Sequence, residues 1–281
     1  MTTCGGDWGN EFVPETTLLT GGTKTIEVRD FKSYGSSGFV VRRQTDDPHA
    51  AVPSWFGMVL YSGNWKVDFY KRFSDFVQIL GGINWWDSSW QLAGGQTLTA
   101  PKMIFGYTEG GGQAASQSMS DYVRTQCLRP AHRDQLRPVV YNSWFATEFD
   151  IREDQQYELA KIAKELGVEM FVMDDGWFKG RVDDHAGLGD WTVDKNKFPA
   201  GLGSLIGKIN ALGLDFGLWV EPEMVNPNSD LYRAHPDWII HFPNRERSLY
   251  RYQSVLNLAR EDVYQYLLAS LSDLLSNHNI K

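Results

Sequence analysis

Cysteine is nearly absent: Cys4 and Cys127 are the only two in 281 residues. They form no CxxC pair and have no metal-ligand spacing, which argues against a disulfide framework or a zinc site and points to a reducing compartment, the cytoplasm. No apolar run approaches the roughly 20 residues of a membrane span, and the opening MTTCGGDWGNEF lacks the basic start and apolar core of a signal peptide. A formal net charge of -8 comes without any Lys/Arg cluster or basic stripe. Nucleic acid and anionic membrane are therefore excluded as natural partners, and a neutral or cationic ligand fits better.

Tryptophan and glycine, by contrast, are plentiful, at 11 and 27 residues. Several tryptophans stand beside Gly, Asn or Asp, and flat aromatic faces next to hydrogen-bonding groups suit sugar rings as well as ordinary packing. The hydrophobic share of 42% supports a real core, enough for one large α/β domain or two ordinary ones.

Residues 1–113 read as a β region, an incomplete sandwich, with short runs (TKTIEVRDF, GFVVRRQ, WFGMVLYSGNWKVDFYKR, FVQILGGINWW) broken by Gly, Asn, Asp and Ser. Residues 114–137 turn helical, with Met119, Tyr122, Val123 and Cys127 near helical spacing, and form a connector. Over 138–281 the pattern alternates strand and helix. VVYNSW, VEMFVMDDGW and LDFGLWVEPEMV read as strands and SVLNLA as a fourth, separated or followed by helical segments closed at Gly167 and Gly213. Such alternation predicts a parallel sheet, most economically the first half of a (β/α)8 barrel, since about four βα units are present where a closed barrel needs eight.

Each strand ends in a similar cluster: Asn142 and Trp144, then Asp174, Asp175 and Trp177, then Trp219, Glu221 and Glu223. The run FVMDDGW is apolar until two carboxylates arrive at its carboxyl end, where ligands sit in parallel sheets. An isolated Asp-Asp-Gly equally well starts a turn. The loop RVDDHAGLGDW adds Asp183, Asp184, His185 and Asp190, but one His without a partner is a poor basis for a metal site, and none is expected.

These stretches together resemble the α-galactosidases of glycoside hydrolase family 36. The resemblance is carried by YNSW (141–144), DDGWF (174–178), GLGDW (187–191), KFPAGL (197–202), GLWVEPEMV (217–225) and HPDW (235–238), in order and spacing across 138–281. LYSGNW (60–65) is similar to the later part of that family's amino-terminal sandwich. Phe145 departs from the pattern, standing where the family usually has Glu.

The resemblance implies a retaining hydrolase of terminal α-galactosides of the melibiose and raffinose type, without cofactor or metal, and a homo-oligomer in the full-length parent. It implies that Asp174 and Asp175 accept hydrogen bonds from the 4- and 6-hydroxyls of galactose, that Trp144 and Trp219 wall the ring, and that Arg251 orients the nucleophile and a sugar hydroxyl. Glu221 and Glu223 become supports behind the site. Adjacent side chains on a strand diverge, so Asp174 and Asp175 are poor candidates for a catalytic pair. The family's nucleophile, in a Lys-Trp-Asp motif, is expected just beyond Lys281 and its acid/base further on, so no catalytic carboxylate is expected in this chain. An α-N-acetylgalactosaminidase, a galactosyl transferase or a noncatalytic galactoside-binding remnant are the alternatives.

Overall fold

The computed structural model describes residues 1–29, 35–47, 49–73, 76–86 and 89–281, in two compact units, Met1–Gln135 and Leu136–Lys281. The first unit contains strands β1 (Thr2–Asp7), β2 (Asn10–Thr16), β3 (Gly22–Glu27), β4 (Phe39–Arg42), β5 (Ser54–Leu60), β6 (Trp65–Lys71), β7 (Val77–Ile83) and β8 (Lys102–Thr108). They form two antiparallel sheets, ordered β2-β1-β4-β5-β8 and β3-β6-β7. Alternation drives the packing: Trp65, Val67 and Phe69 of β6 are buried on one face and meet Phe39 and Val59 of the other sheet, with the Phe39 and Phe69 rings edge to face at 4.9 Å. The strand expected over TKTIEVRDF is realised as β3, while Asp30 and Phe31 of that run lie outside the described residues.

Helix α1 (Gly111–Tyr122) continues through a π-helical turn at Val123–Cys127, and the short helix α2 (Pro130–Arg133) follows. The connector expected at residues 114–137 thus contains a helix that packs on β4, β5 and β8 of its own unit, with Ala115 fully buried.

The second unit is built on a parallel sheet. Strands β9 (Val140–Asn142), β10 (Met170–Met173) and β11 (Asp215–Leu218) lie in the order β11-β10-β9. Between them run α3 (Trp144–Thr147), α4 (Glu153–Glu165) and α5 (Leu202–Ala211). Helix α4 starts with Glu153 and Asp154, which suit the positive end of a helix, and buries Gln156, Ala160 and Ala163 at helical spacing. Helix α5 buries Leu202, Leu205, Ile206 and Ile209 the same way, and Glu153 pins the two helices by accepting from Lys208 Nζ and Ser204 Oγ, both at 2.8 Å. β12 (Met224–Val225), α6 (Asp230–Ala234), β13 (Ser254–Val255) and α7 (Glu261–Asn277) complete the unit.

SVLNLA is not the fourth strand of the parallel sheet. Ser254–Val255 pairs antiparallel with β12 in a separate two-stranded ribbon, and Leu256 bridges antiparallel to Ile239. A parallel neighbour requires a long crossover, normally a helix, and the 17-residue crossover helix is α7, which comes after this segment. Beyond α7 the Lys281 amide donates to the Phe216 carbonyl of β11 at 2.9 Å, so the backbone next to β11 is Lys281.

The core of this unit centres on Phe171, Met173, Phe216, Phe198 and Leu202, all fully buried. Replacing Phe171 by Ala is expected to cost about 3–5 kcal/mol by cavity formation. Urea denaturation monitored by tryptophan fluorescence checks this, and a loss under about 1 kcal/mol contradicts the packing described.

Candidate functional site

The carboxyl ends of β9, β10 and β11 bring their polar and aromatic residues to one edge of the parallel sheet. Asn142 Nδ2 donates to Asp174 Oδ2 at 2.5 Å, and the Asp174 amide donates to Ser143 Oγ at 3.1 Å. The Asp175 amide donates to Asp174 Oδ1 at 2.7 Å. The YNSW segment therefore fixes the Asp174 carboxylate, which remains half-buried at the strand end. Its oxygens are acceptors with lone pairs left for further donors.

Asp175 faces the other way. It is 3% exposed, and Arg181, fully buried, grips it with Nε at 2.9 and 3.1 Å from the two oxygens and Nη2 at 2.7 Å from Oδ2. Arg181 Nη1 donates to the Ala186 carbonyl at 3.0 Å and to Asn226 Oδ1 at 3.1 Å, while Phe149 and Phe178 lie 5.2 and 5.7 Å from the guanidinium carbon. Gly176 follows at φ +106°, where a Cβ would meet the Phe149 backbone at 3.0 Å, so the chain leaves the strand by a route open to glycine.

Trp144 and Trp219 both follow the carboxyl ends of parallel strands. Trp144 is half-buried, its amide donating to Asn142 Oδ1 at 2.8 Å and its ring edge to face with Phe149 at 5.0 Å. Trp219 is half-buried and stacked on Phe178, at 6.5 Å and 11° between planes, with Trp191 at 6.4 Å. The indole of buried Trp177 donates to the Trp219 carbonyl at 2.9 Å, which braces Trp219 from behind.

Arg251 is exposed and sits in a tight turn with φ 51°, followed by Tyr252 at φ 61°. Its charge reaches Glu221. Burial pushes the Glu221 carboxyl above the usual carboxylate range, Arg251 opposes that shift and Glu223 reinforces it. Glu221 also accepts from Gln253 Nε2 at 3.4 Å. Asp190, expected only as one of several loop acids, accepts from the amides of Asp230 and Leu231 at 2.7 and 2.8 Å and serves the start of α6.

Asp183, Asp184 and His185 are close enough for their ligand atoms to share a cation, but the group is largely exposed. His185 Nδ1 lies 3.0 Å from Asp184 and its ring stacks on Tyr252 at 3.6 Å. A cleft of about 570 Å³ lined by Lys164, Glu169 and Asp215 lies at the amino-terminal ends of the strands, away from these residues.

Three residues that carry the geometry were not singled out from sequence. Arg181 and Asn226 are fully buried. Lys197, half-buried, donates to the carbonyls of Phe149, Gly176 and Arg181 at 2.8, 2.7 and 2.9 Å, tying together the loops after β9 and β10. Burial lowers its pKa, opposed by Asp194, Asp150 and Asp175. The available signal was Arg181 itself, a cation opening an acidic loop six residues after Asp175.

Comparison with known proteins gives a consistent family. Residues 97–281 match the family model described as Melibiase, and residues 1–93 that of the glycosyl hydrolase family 36 N-terminal domain. Alpha-galactosidase AgaA of Geobacillus stearothermophilus is 40% identical over 274 residues, 97% of this chain and 37% of that protein. Alpha-galactosidase 1 of Pediococcus pentosaceus is 36% identical over 276 residues, 98% of this chain and 38% of that protein. The crystal structure of AgaA superposes with a TM-score of 0.94 at 39% identity, covering 99% of this chain and 39% of AgaA. Substituted forms of AgaA have been crystallised with stachyose and with raffinose. This chain spans less than two fifths of the length of these relatives.

Two outcomes follow from the electrostatics. Lys197→Met removes the ammonium donor of the Gly176 and Arg181 carbonyls and leaves the Phe149 carbonyl only the Ile151 amide, and is expected to destabilise the second unit by about 1–3 kcal/mol in urea melts, against near-neutrality if the lysine is a surface charge. Glu221 carries a raised pKa, so the stability it contributes is full below its unfolded value and is lost as pH rises through the folded one. Glu221→Gln should therefore melt above the unsubstituted chain at pH 7, the gap closing below about pH 4.3. A gap that widens in acid contradicts the assignment.

Proposed function

The chain belongs to the melibiase family, the glycosyl hydrolases of family 36, and from that premise we propose that it carries the galactose-recognition wall of a retaining α-galactosidase. The observation that carries the reading is the Asp174 carboxylate, held at the strand end by Asn142 while Ser143 holds the Asp174 amide, with Trp144 on the neighbouring β9 turn and Trp219 on the end of β11. An ionised carboxylate is purely an acceptor, so it selects partners that donate, and the 4- and 6-hydroxyls of galactose can each turn an O–H toward it.

In this reading Asp174 is the accessible grip, and Asp175, turned inward onto Arg181, fixes the strand end behind it. Trp219, braced by Phe178, Trp191 and Trp177, offers a flat wall to the C–H face of a sugar, Trp144 shapes the opposite side, and Arg251 supplies the cation. The doublet serves recognition and does not break the bond. A retaining reaction needs two carboxyl groups across one glycosidic bond, roughly 5 to 5.5 Å apart, and Asp175 is committed to an interior arginine. The reaction proposed for the whole protein is hydrolysis of terminal α-galactosides of the melibiose and raffinose type, a class supported by AgaA's complexes with raffinose and stachyose. No helix among the described residues is long and apolar enough to cross a membrane. Cytoplasmic location and homo-oligomerisation of the whole protein belong to the same proposal.

Titration calorimetry or ¹⁵N chemical-shift perturbation of the 281-residue chain with methyl α-galactoside tests it. The expected result is saturable binding, at least about tenfold weaker for the C4-epimeric α-glucoside, and a loss of about 1.5–3 kcal/mol in Asp174→Asn, the usual worth of a hydrogen bond to a charged group. Equal binding of both epimers, or an Asp174→Asn variant that binds unchanged, overturns it.

A further inference from the structure

Asn226, immediately after β12, is fully buried and uses its side-chain amide to capacity. Oδ1 accepts from Arg181 Nη1 at 3.1 Å and from the Leu188 amide at 2.9 Å, while Nδ2 donates to the carbonyls of Asp184 and Tyr252, both at 3.0 Å. An amide offers two donors and two acceptor positions, and all four are spent here on three separate segments. One is the Arg181–Asp175 pair behind the β10 strand end. Another is the loop through Asp184 and Leu188. The third is the turn that carries Arg251.

That turn needs holding. Arg251 and Tyr252 are consecutive non-glycine residues in the left-handed region, a conformation that persists only where surroundings over-determine it. The surroundings are the reciprocal backbone bonds between Tyr250 and Gln253 at 3.1 and 3.0 Å, the His185 ring stacked on Tyr252, and the Asn226 bond to the Tyr252 carbonyl. Glu221, bonded to Gln253 of the same turn, feels the charge of both Arg251 and Arg181.

We infer that Asn226 is a positioning residue that joins the Asp175–Arg181 pair and the Arg251 turn into one node, so that the cation of the site is set relative to the carboxylate doublet through a single buried amide. Its consequence for sugar binding rests on the reading of Asp174 and Arg251 given above. Its consequence for the two loops does not.

The test combines hydrogen exchange with a double-mutant cycle on the 281-residue chain. In Asn226→Asp the donor facing two carbonyls becomes an acceptor while the Arg181 side is preserved. Amides in 183–188 and 250–253 should then exchange at least about tenfold faster together, with β10 and β11 amides unchanged. In the unmodified chain, where folding of a variant is not at issue, the Leu188 and Gln253 amides should share one opening equilibrium. Uniform acceleration of all amides, or separate opening of those two, overturns the node. For binding, Asn226→Asp should weaken methyl α-galactoside at least about tenfold and have no further effect once Arg251→Ala is present. Additive losses overturn the claim that Asn226 acts through Arg251. If the unmodified chain does not bind the galactoside, the proposed function falls, and hydrogen exchange alone decides the node.

Discussion

The second unit depends on a buried ion pair. Asp175 and Arg181 are almost entirely removed from water, and an unpaired charge in that position would cost several kcal/mol or more. The geometry that makes the pair tolerable is demanding: a forked contact to both carboxylate oxygens, two further acceptors for Nη1, and aromatic rings on the guanidinium. Meeting those demands dictates where the loop after β10 runs. It must return from Arg181 to Ala186 and Leu188 within reach of Asn226, and the chain must turn at Gly176 to deliver Asp175 inward while Asp174 stays at the mouth. Strand alternation sends the two adjacent carboxylates to opposite sides, and the inward one meets the interior cation.

The same logic places the other elements. Lys197 sends its three donors to carbonyls that no strand or helix satisfies, on the loops after β9 and β10, and so replaces missing backbone bonds with a side-chain cage. Trp177 spends its indole N–H on the Trp219 carbonyl, binding the end of β11 to the loop after β10. Groups at the ends of different strands that act on one ligand must be held to a fraction of an ångström, and here Trp219 is fixed by buried Trp177 and Phe178 while Asp174 is fixed by Asn142 and buried Ser143. Buried polar nodes of this kind are strong only when complete, which is why the removal of a single amide or ammonium is expected to loosen several loops at once.

Much of this was legible from sequence, for identifiable reasons. The parallel strands β10 and β11 announce themselves because a strand covered on both faces stays apolar to its end, and Asp174 and Trp219 mark where that cover stops, while β9 shows the same apolar run with an exposed edge. Helices α4 and α5 carry the period of the face they bury. SVLNLA misled because a short apolar run states that it is buried, not what it pairs with, and the partner of β13 is 30 residues upstream. The structural roles of Arg181, Asn226 and Lys197 were illegible for a different reason. Asn226 and Lys197 act through residues far along the chain, such as Asn226 to Tyr252, and Arg181, though its carboxylate is near in sequence, gives no sign there of facing the interior and not water.

The most direct measurement is a crystal structure of this chain soaked with galactose. The account predicts the sugar between Trp144 and Trp219, with its 4- or 6-hydroxyl on the Asp174 carboxylate and Asp175 still forked by Arg181. Galactose seated at the amino-terminal cleft beside Lys164 and Asp215, or an Asp175 released from Arg181 to take the sugar alone, would contradict it.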